Sequence, residues 1–372
     1  MKLKNTILGL IGSRLAGDPF YARLHVTHRC DYRCRMCGQR DRVKDRPAEL
    51  SLRQLGRVAE RLAELGARHV VITGGEPFIR PDLHKLVDVL NRLGFSIRVQ
   101  TNGGPLVTEE KLKRCAQAGL RDLSVSIDTL DEALQNSICQ SRDVVPNALK
   151  TLGMARRILS RGITQANVVA SPHNFEQLPS LVRYFHERGI YTYITPAMIS
   201  PPSADGDGYL FRGRADDFRG ELIGSELRER VIGELVMMRR RGYALTNSAR
   251  FLEDYRRHLA GQSNGWRCEA GLLSLDVLPD GTVAICKEKH PFGHILDDDF
   301  MVAFRGEEYR RHARRTAESC AGCFYGEYRE PQYVVHSPAV LWEWARQWIR
   351  NYRRGMRFNE RKEARKQPVD SR

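Results

Sequence analysis

No apolar run in this 372-residue chain approaches the ~20 residues that a membrane-spanning helix requires. The chain has no Gly-x-Gly-x-x-Gly fingerprint and no Walker loop, which argues against the common dinucleotide- and phosphate-cradling turns. It has no internal repeat, so a solenoid is excluded. No secretory signal is evident, and the nine cysteines are therefore expected to stay reduced in a cytoplasmic setting. Acidic residues are in deficit: 45 Asp and Glu face 60 Lys and Arg, leaving a net charge of +15. Much of the excess sits at Arg239–Arg241, Arg310, Arg311, Arg314, Arg315 and the tail from Arg346. It reads as a solvated basic surface, compatible with a small, anionic substrate or with peripheral membrane contact. Residues 1–11 fit a short amphipathic helix resting on lipid or on the fold.

What the chain does have is a cluster of thiols. Cys30, Cys34 and Cys37 are separated by three residues and then two. Three such thiolates can hold three irons of a cubane cluster and leave the fourth iron open to a small molecule. Zinc, with His28 as a fourth ligand, is the alternative. The run leaves a β-rich stretch, Phe20–Thr27, and is followed by a second strand-like run, His69–Thr73, ending in Gly74-Gly75-Glu76-Pro77. Glycines there allow positive φ and close approach of backbone to a ligand.

With these motifs the chain resembles the radical S-adenosylmethionine (SAM) enzymes. The resemblance implies that Cys30, Cys34 and Cys37 hold a [4Fe–4S] cluster whose open iron is chelated by SAM. It places Gly74, Gly75, Glu76 and Pro77 at the methionine amino group, with Tyr32 and Met36 by the adenine and the cluster. It also places Gln100, Thr101 and Asn102, the run Ser124, Ser126 and Asp128, and Asn174 at the cofactor. A flavodoxin- or ferredoxin-type reductant is the implied electron donor.

Strand-like stretches at 20–27, 69–74, 95–101, 121–128, 164–170 and 190–195 alternate with helical patterns. The first helix is capped by Ser51 with Gln54 and carries Leu52, Leu55, Val58, Leu62 and Leu65 on one face. The fold class is therefore α/β: a partial (βα)6 TIM-type barrel, with sites at the strands' carboxyl ends. The expected organisation is an amphipathic lead (1–18), the barrel (19–200), a loop and helical connector (201–265), an auxiliary module (266–330) and a C-terminal helix with basic tail (331–372).

Cys268, Cys286, Cys320 and Cys323 form a second set, with a Pro279-Asp280-Gly281 hairpin turn between the first two. Spacing alone leaves zinc and iron–sulfur open. Within the resemblance, the set matches the shortened SPASM extension called twitch, a β-hairpin plus helix holding a second, auxiliary [4Fe–4S] cluster. Cys115 reads as a buried helical thiol, and Cys139 as a candidate hydrogen donor near the site. Leu341, Trp344 and Trp348 read as packing anchors of a last helix.

The resemblance extends to the butirosin aminocyclitol dehydrogenase group, and the expected activity is radical oxidation of an alcohol on a small organic substrate. The auxiliary cluster would accept the second electron. Redox-neutral epimerisation and radical addition to a lipid or isoprenoid are the alternatives, ahead of peptide modification. A zinc-stabilised nucleic-acid-binding module is the non-enzymatic alternative. It leaves the Gly-Gly-Glu-Pro turn unexplained, so nucleic acid is not an expected partner.

Overall fold

Alternate residues of each short strand enter the apolar core, and that parity builds the sheet. On β3 (Ser96–Thr101), Ile97 and Val99 are buried in the apolar core, while Ser96, Arg98 and Gln100 take the opposite face. The same parity holds in β1 (Tyr21–His25), β2 (His69–Thr73), β4 (Asp122–Ser126), β5 (Thr164–Ala170) and β6 (Tyr191–Pro196). The computed structural model describes residues 18–37, 48–160, 162–197, 223–262, 268–286, 291–318, 323–347 and 349–350. In it these six strands pair in parallel, in the order β6-β5-β4-β3-β2-β1.

The strands alternate with α1 (Leu52–Glu64), α2 (Leu83–Arg92), α3 (Glu109–Gln117), α4 (Glu132–Cys139), α5 (Val144–Ile158) and α6 (Leu178–Glu187). The Ser51–Gln54 capping box starts α1, and Leu55, Val58 and Leu62 bury its apolar face. Each such leucine contributes about 1.5–3 kcal/mol on burial. Cys115 is buried on α3, as its spacing predicts. The helix α4 carries no clear apolar period and was not expected.

The auxiliary hairpin joins the barrel's own sheet. Strand β7 (Ser274–Val277) turns through Pro279–Gly281 into β8 (Thr282–Ala284), and β9 (Pro291–His294) follows. Strand β7 pairs in parallel with β1, so one nine-stranded sheet runs from β6 to β9. Helices α7 (Ser225–Arg241), α8 (Ala249–Leu259), α9 (Phe300–Arg305), α10 (Glu307–Glu318) and α11 (Gly326–His336) follow, with a further helical run over 338–347.

The barrel is open between β6 and β7, and the first turn of α11 lies across that gap. A Cβ at Gly326 would sit 2.0 Å from the Tyr193 hydroxyl of β6. Two residues on, the Tyr328 hydroxyl donates to Asp276 of β7 at 2.9 Å. Trp344 is 37% exposed, so it is not the packing anchor that its spacing suggests. The amphipathic lead, the Pro201–Gly208 loop, Cys320, the side chain of Trp348 and the tail beyond residue 350 lie outside the described residues.

Candidate active site

The three-cysteine loop leaves β1 and is tied down from two sides. From the β2 turn, Gly75 N–H donates to Thr27 O and Glu76 N–H to Arg29 O, both at 2.8 Å. The contact is tight enough that a Cβ on Gly75 would lie 2.0 Å from Arg29 O. Gly74 has φ +138°, a conformation that favours glycine. From α4, the carbonyls of Cys139 and Ile138 accept from Arg33 N–H (3.1 Å) and Arg35 N–H (2.9 Å), the two residues flanking Cys34. Cys37 N–H closes a turn onto Cys34 O at 3.1 Å.

Cys30 is exposed and Cys34 and Cys37 are half-buried, all on this one loop. Asn102 Nδ2 donates to Asp31 Oδ1 at 2.7 Å and approaches Cys30 Sγ at 3.8 Å. Burial pushes the Cys30 thiol up to about 11. A hydrogen bond with Cys139, together with burial, raises Cys34 as well. A bound metal deprotonates thiols raised in this way, as Cys30 and Cys34 are, and three cysteines on one loop are the donor set of a cluster with an open iron, although among the described residues no three such side chains are already gathered around a metal position.

Several residues expected at the cofactor are engaged with the protein itself. The Glu76 carboxylate is fully buried and accepts from Phe78 N–H, Asn102 N–H and the Thr101 hydroxyl at 2.8–2.9 Å. It ties the β2 turn to the end of β3, and burial raises it to about 7. Its side chain is therefore a strut, leaving the backbone of Gly74 and Gly75 as the surface available to an amino group. Pro77 is buried and opens the short turn that Glu76 caps. Asp128 is buried, accepts Val169 N–H at 2.8 Å, and is raised to about 6 by burial. Asn174 donates to Asp128 O and Val169 O and accepts Ser171 N–H, which staples the β5 loop to the β4 loop.

Tyr32 packs with Ile138, Cys139 and Val144 in a small core beneath the loop, against Cys34 and Met36. Met36 also lines a cleft with Arg35, Ile138, Ser171 and His173, between the loop, α4 and the end of β5. Cys139 is 6% exposed and accepts from Gln135 Nε2 at 3.3 Å. It lies against the cluster loop, hydrogen-bonded with Cys34 and mostly buried. Gln100, Ser124 and Ser126 lie on the inward face of β3 and β4, opposite the helix-covered residues.

In the second set, Cys268 Sγ accepts from Ala270 N–H at 3.4 Å, and Cys286 follows β8. Cys323 is buried, and its carbonyl accepts from Arg329 Nη2 at 2.9 Å. These three come from different segments of one module, and soft thiols of this kind suit an iron–sulfur cluster.

One group of residues carried no motif. Asp276 on β7 is fully buried and receives Arg23 Nε at 2.6 Å, a second Arg23 bond through Nη2, Tyr328 Oη at 2.9 Å and His25 Nε2 at 3.1 Å. Burial pushes the Asp276 carboxyl up, but Arg23 and His25 outweigh it and hold it well below the usual carboxylate range. The only sequence signal was parity: Arg23 and His25 take the inward positions of a strand whose Ala22 and Leu24 are core.

Residues 24–197 match the radical SAM superfamily, and residues 268–324 match an iron–sulfur cluster-binding domain, SPASM. A GTP 3',8-cyclase of Marinobacter nauticus is 33% identical over 172 residues, 46% of this chain and 51% of that one. A GTP 3',8-cyclase of Ectopseudomonas mendocina is 35% identical over 184 residues, 46% of this chain and 54% of the other. The chain thus spans about half the length of these relatives. Among solved structures, Streptococcus suis SuiB bound to S-adenosylmethionine has a TM-score of 0.58 at 16% identity, covering 80% of this chain and 68% of SuiB. The anSMEcpe structure with bound AdoMet has a TM-score of 0.59 at 14% identity, covering 87% of this chain and 98% of that one. These two likenesses concern the fold. Residues 24–197 thus form a radical SAM domain, which implies a [4Fe–4S] cluster and SAM, and residues 268–324 a SPASM-type domain, which implies auxiliary iron–sulfur clusters.

Proposed function

We propose that this enzyme oxidises a hydroxyl-bearing carbon of a small polar substrate held in the barrel lumen. When bound, the first cluster and SAM supply a 5'-deoxyadenosyl radical, and the second cluster supplies a one-electron acceptor. The observation that carries the reading is the chemistry of the inward face. Thr73, Gln100, Ser124, Gln165 and Asn167 stand where a packed barrel would place branched apolar side chains. Gln165 Nε2 donates to Asn167 Oδ1 at 2.7 Å, and its Oε1 accepts from Thr246 Oγ1 at 3.0 Å and Arg98 Nη1 at 3.3 Å. Amides and hydroxyls in such a lumen can orient substrate hydroxyls, and they disfavour a bare isoprenoid chain. Helix α11, which begins three residues after Cys323 and reaches both Tyr193 of β6 and Asp276 of β7, supports an auxiliary module close to the substrate. A donor thiol at Cys139 lies beneath the cluster loop, which weighs against epimerisation.

A second reading draws on the relatives, which are named for a reaction on GTP. Arg98 on the inward face is compatible with an anionic substrate of that kind.

The test is an anaerobic assay of the reconstituted protein with a low-potential reductant, SAM and a panel of cyclitols, aminocyclitols, sugars, nucleosides, GTP and an isoprenoid alcohol. The expected result is one ketone per SAM consumed, with deuterium from the carbinol carbon recovered in 5'-deoxyadenosine. Cyclisation of GTP without ketone would select the second reading. Solvent deuterium entering an otherwise unchanged skeleton would select epimerisation.

A further inference from the structure

We propose that Cys139 is a positioning residue that acts through Cys34: its S–H donates to the Cys34 sulfur and raises the reduction potential of the first cluster. The role needs only the cluster that the radical SAM domain implies, and it holds whichever substrate the enzyme takes.

Cys139 is the last residue of α4, and the backbone fixes it beside Cys34 from both flanks. Arg33 N–H donates to Cys139 O at 3.1 Å, and Arg35 N–H donates to Ile138 O at 2.9 Å. These two bonds bracket Cys34, so the loop cannot leave α4 without breaking them. Between them the side chains of Cys34 and Cys139 are hydrogen-bonded to each other.

The direction of that bond is set one turn earlier on α4. Gln135 Oε1 accepts Asp128 N–H at 2.8 Å and Thr129 N–H at 2.9 Å, which fixes the amide at the end of β4. Its Nε2 then donates to Cys139 Sγ at 3.3 Å and to Asp128 Oδ2 at 3.4 Å. An amide NH2 only donates, so the Cys139 sulfur accepts there and its own proton is left for another partner. In the metal-free protein either thiol of the Cys34–Cys139 pair can donate. A Cys34 that ligates iron is a thiolate and can only accept. The chain of donors therefore runs from Gln135 through Cys139 to the Cys34 sulfur.

A hydrogen bond to a ligand sulfur draws charge away from it. The reduced form of a cluster carries the extra negative charge and gains more from that bond, so the potential rises. Cys139 packs with Tyr32, Ile138 and Val144, which leave little room for water to replace its donor. A packing role alone gives the opposite sign. Removing the thiol would then admit water, and water favours the more highly charged, reduced form.

The experiment is an anaerobic redox titration of the reconstituted full chain, followed by electron paramagnetic resonance. It compares wild type, Cys139→Ala, Cys139→Val, Cys139→Ser and Cys115→Ala. The signal of the first cluster is the one that changes when SAM is added, because SAM binds its open iron. Iron and sulfide counts and the unfolding midpoint report whether each variant is folded and loaded. Cys139→Ala and Cys139→Val are expected to lower the equilibrium constant for reduction about tenfold, which is about 59 mV for a one-electron couple. Cys139→Ser keeps a donor and should recover most of that shift. Cys115→Ala, on α3, should leave the potential unchanged. An unchanged or higher potential in a loaded Cys139→Ala would overturn the assignment and leave Cys139 a packing residue. If Cys139→Ala fails to load, Cys139→Val and Cys139→Ser decide, and equal potentials in that pair would overturn it. Loss of iron from both apolar variants would make Cys139 an assembly residue and overturn the tuning role. Absence of a SAM-responsive signal in wild type would overturn the first cluster, and this role with it.

Discussion

Gly75 shows how a residue can be legible in sequence for one reason and constrained in the fold by another. Its place in Gly-Gly-Glu-Pro marked a close backbone approach to a ligand, but its nearest constraint is the carbonyl of Arg29, one residue before Cys30. Replacing it with alanine pushes the β2 turn off the cluster loop, because the clash is with backbone that cannot rotate away. The expected outcome for Gly75→Ala is destabilisation by about 1–3 kcal/mol, as for other overpacked sites. Iron bound at the first site should fall, and a paired denaturation and iron assay would check both. Glu76 was equally visible in the motif, and its role changed more. No sequence signal says that Thr101 and Asn102 will consume its carboxylate, because that depends on how β2 and β3 sit side by side.

At the scale of elements, the six barrel strands were legible because each alternates core and lumen residues over a short run. Helix α11 was not. Pro331 lies inside it and its buried residues include Arg329, Glu330 and Gln332, so it lacks an apolar stripe. The pairing of β7 with β1 was equally hidden, since a parallel partner some 250 positions away leaves no local trace. A buried acid on α11 makes a prediction about pH. Glu330 accepts Ser248 N–H at 2.7 Å, and burial raises it from 4.5 to about 7. Its protonated form suits the fold, so this contribution to stability is complete below the unfolded value near 4.5 and is lost as pH rises through about 7. Glu330→Gln keeps an acceptor for Ser248 and cannot ionise. Relative to wild type it should be similar near pH 4.5 and more stable at pH 8 by up to about 3 kcal/mol, at ~1.4 kcal/mol per pH unit. Urea unfolding at the two pH values measures this, and equal differences at both would refute it. Glu76 titrates in the same direction and should leave wild type and variant with a shared residual slope.

For the whole molecule, the two cysteine sets were legible in sequence, and their joint placement was not. The sequence suggested a barrel with a module beside it, whereas one sheet runs through both, and Asp276 of the module sits inside the barrel wall. The two cluster sites should therefore be separable in metal content but linked in stability. Anaerobically reconstituted wild type is expected to hold about eight irons, the sum of two four-iron clusters. The triple variant Cys30→Ala, Cys34→Ala, Cys37→Ala should hold about four. That variant also removes Cys34 from the small core with Tyr32 and Cys139, so its loss of midpoint should be confined to that loop and α4. Cys268→Ala with Cys286→Ala should also hold about four irons, but it loosens the module whose β7 holds Arg23 through Asp276. Removing one side of a buried ion pair costs about 3–5 kcal/mol, so even partial loss of that contact should lower the barrel's own midpoint measurably. Iron and sulfide counts with thermal unfolding of both variants decide it. Zinc in place of iron at the second set would remove the electron acceptor from the proposed oxidation. An unchanged midpoint in the second variant would show that the β1–β7 seam holds without its cluster.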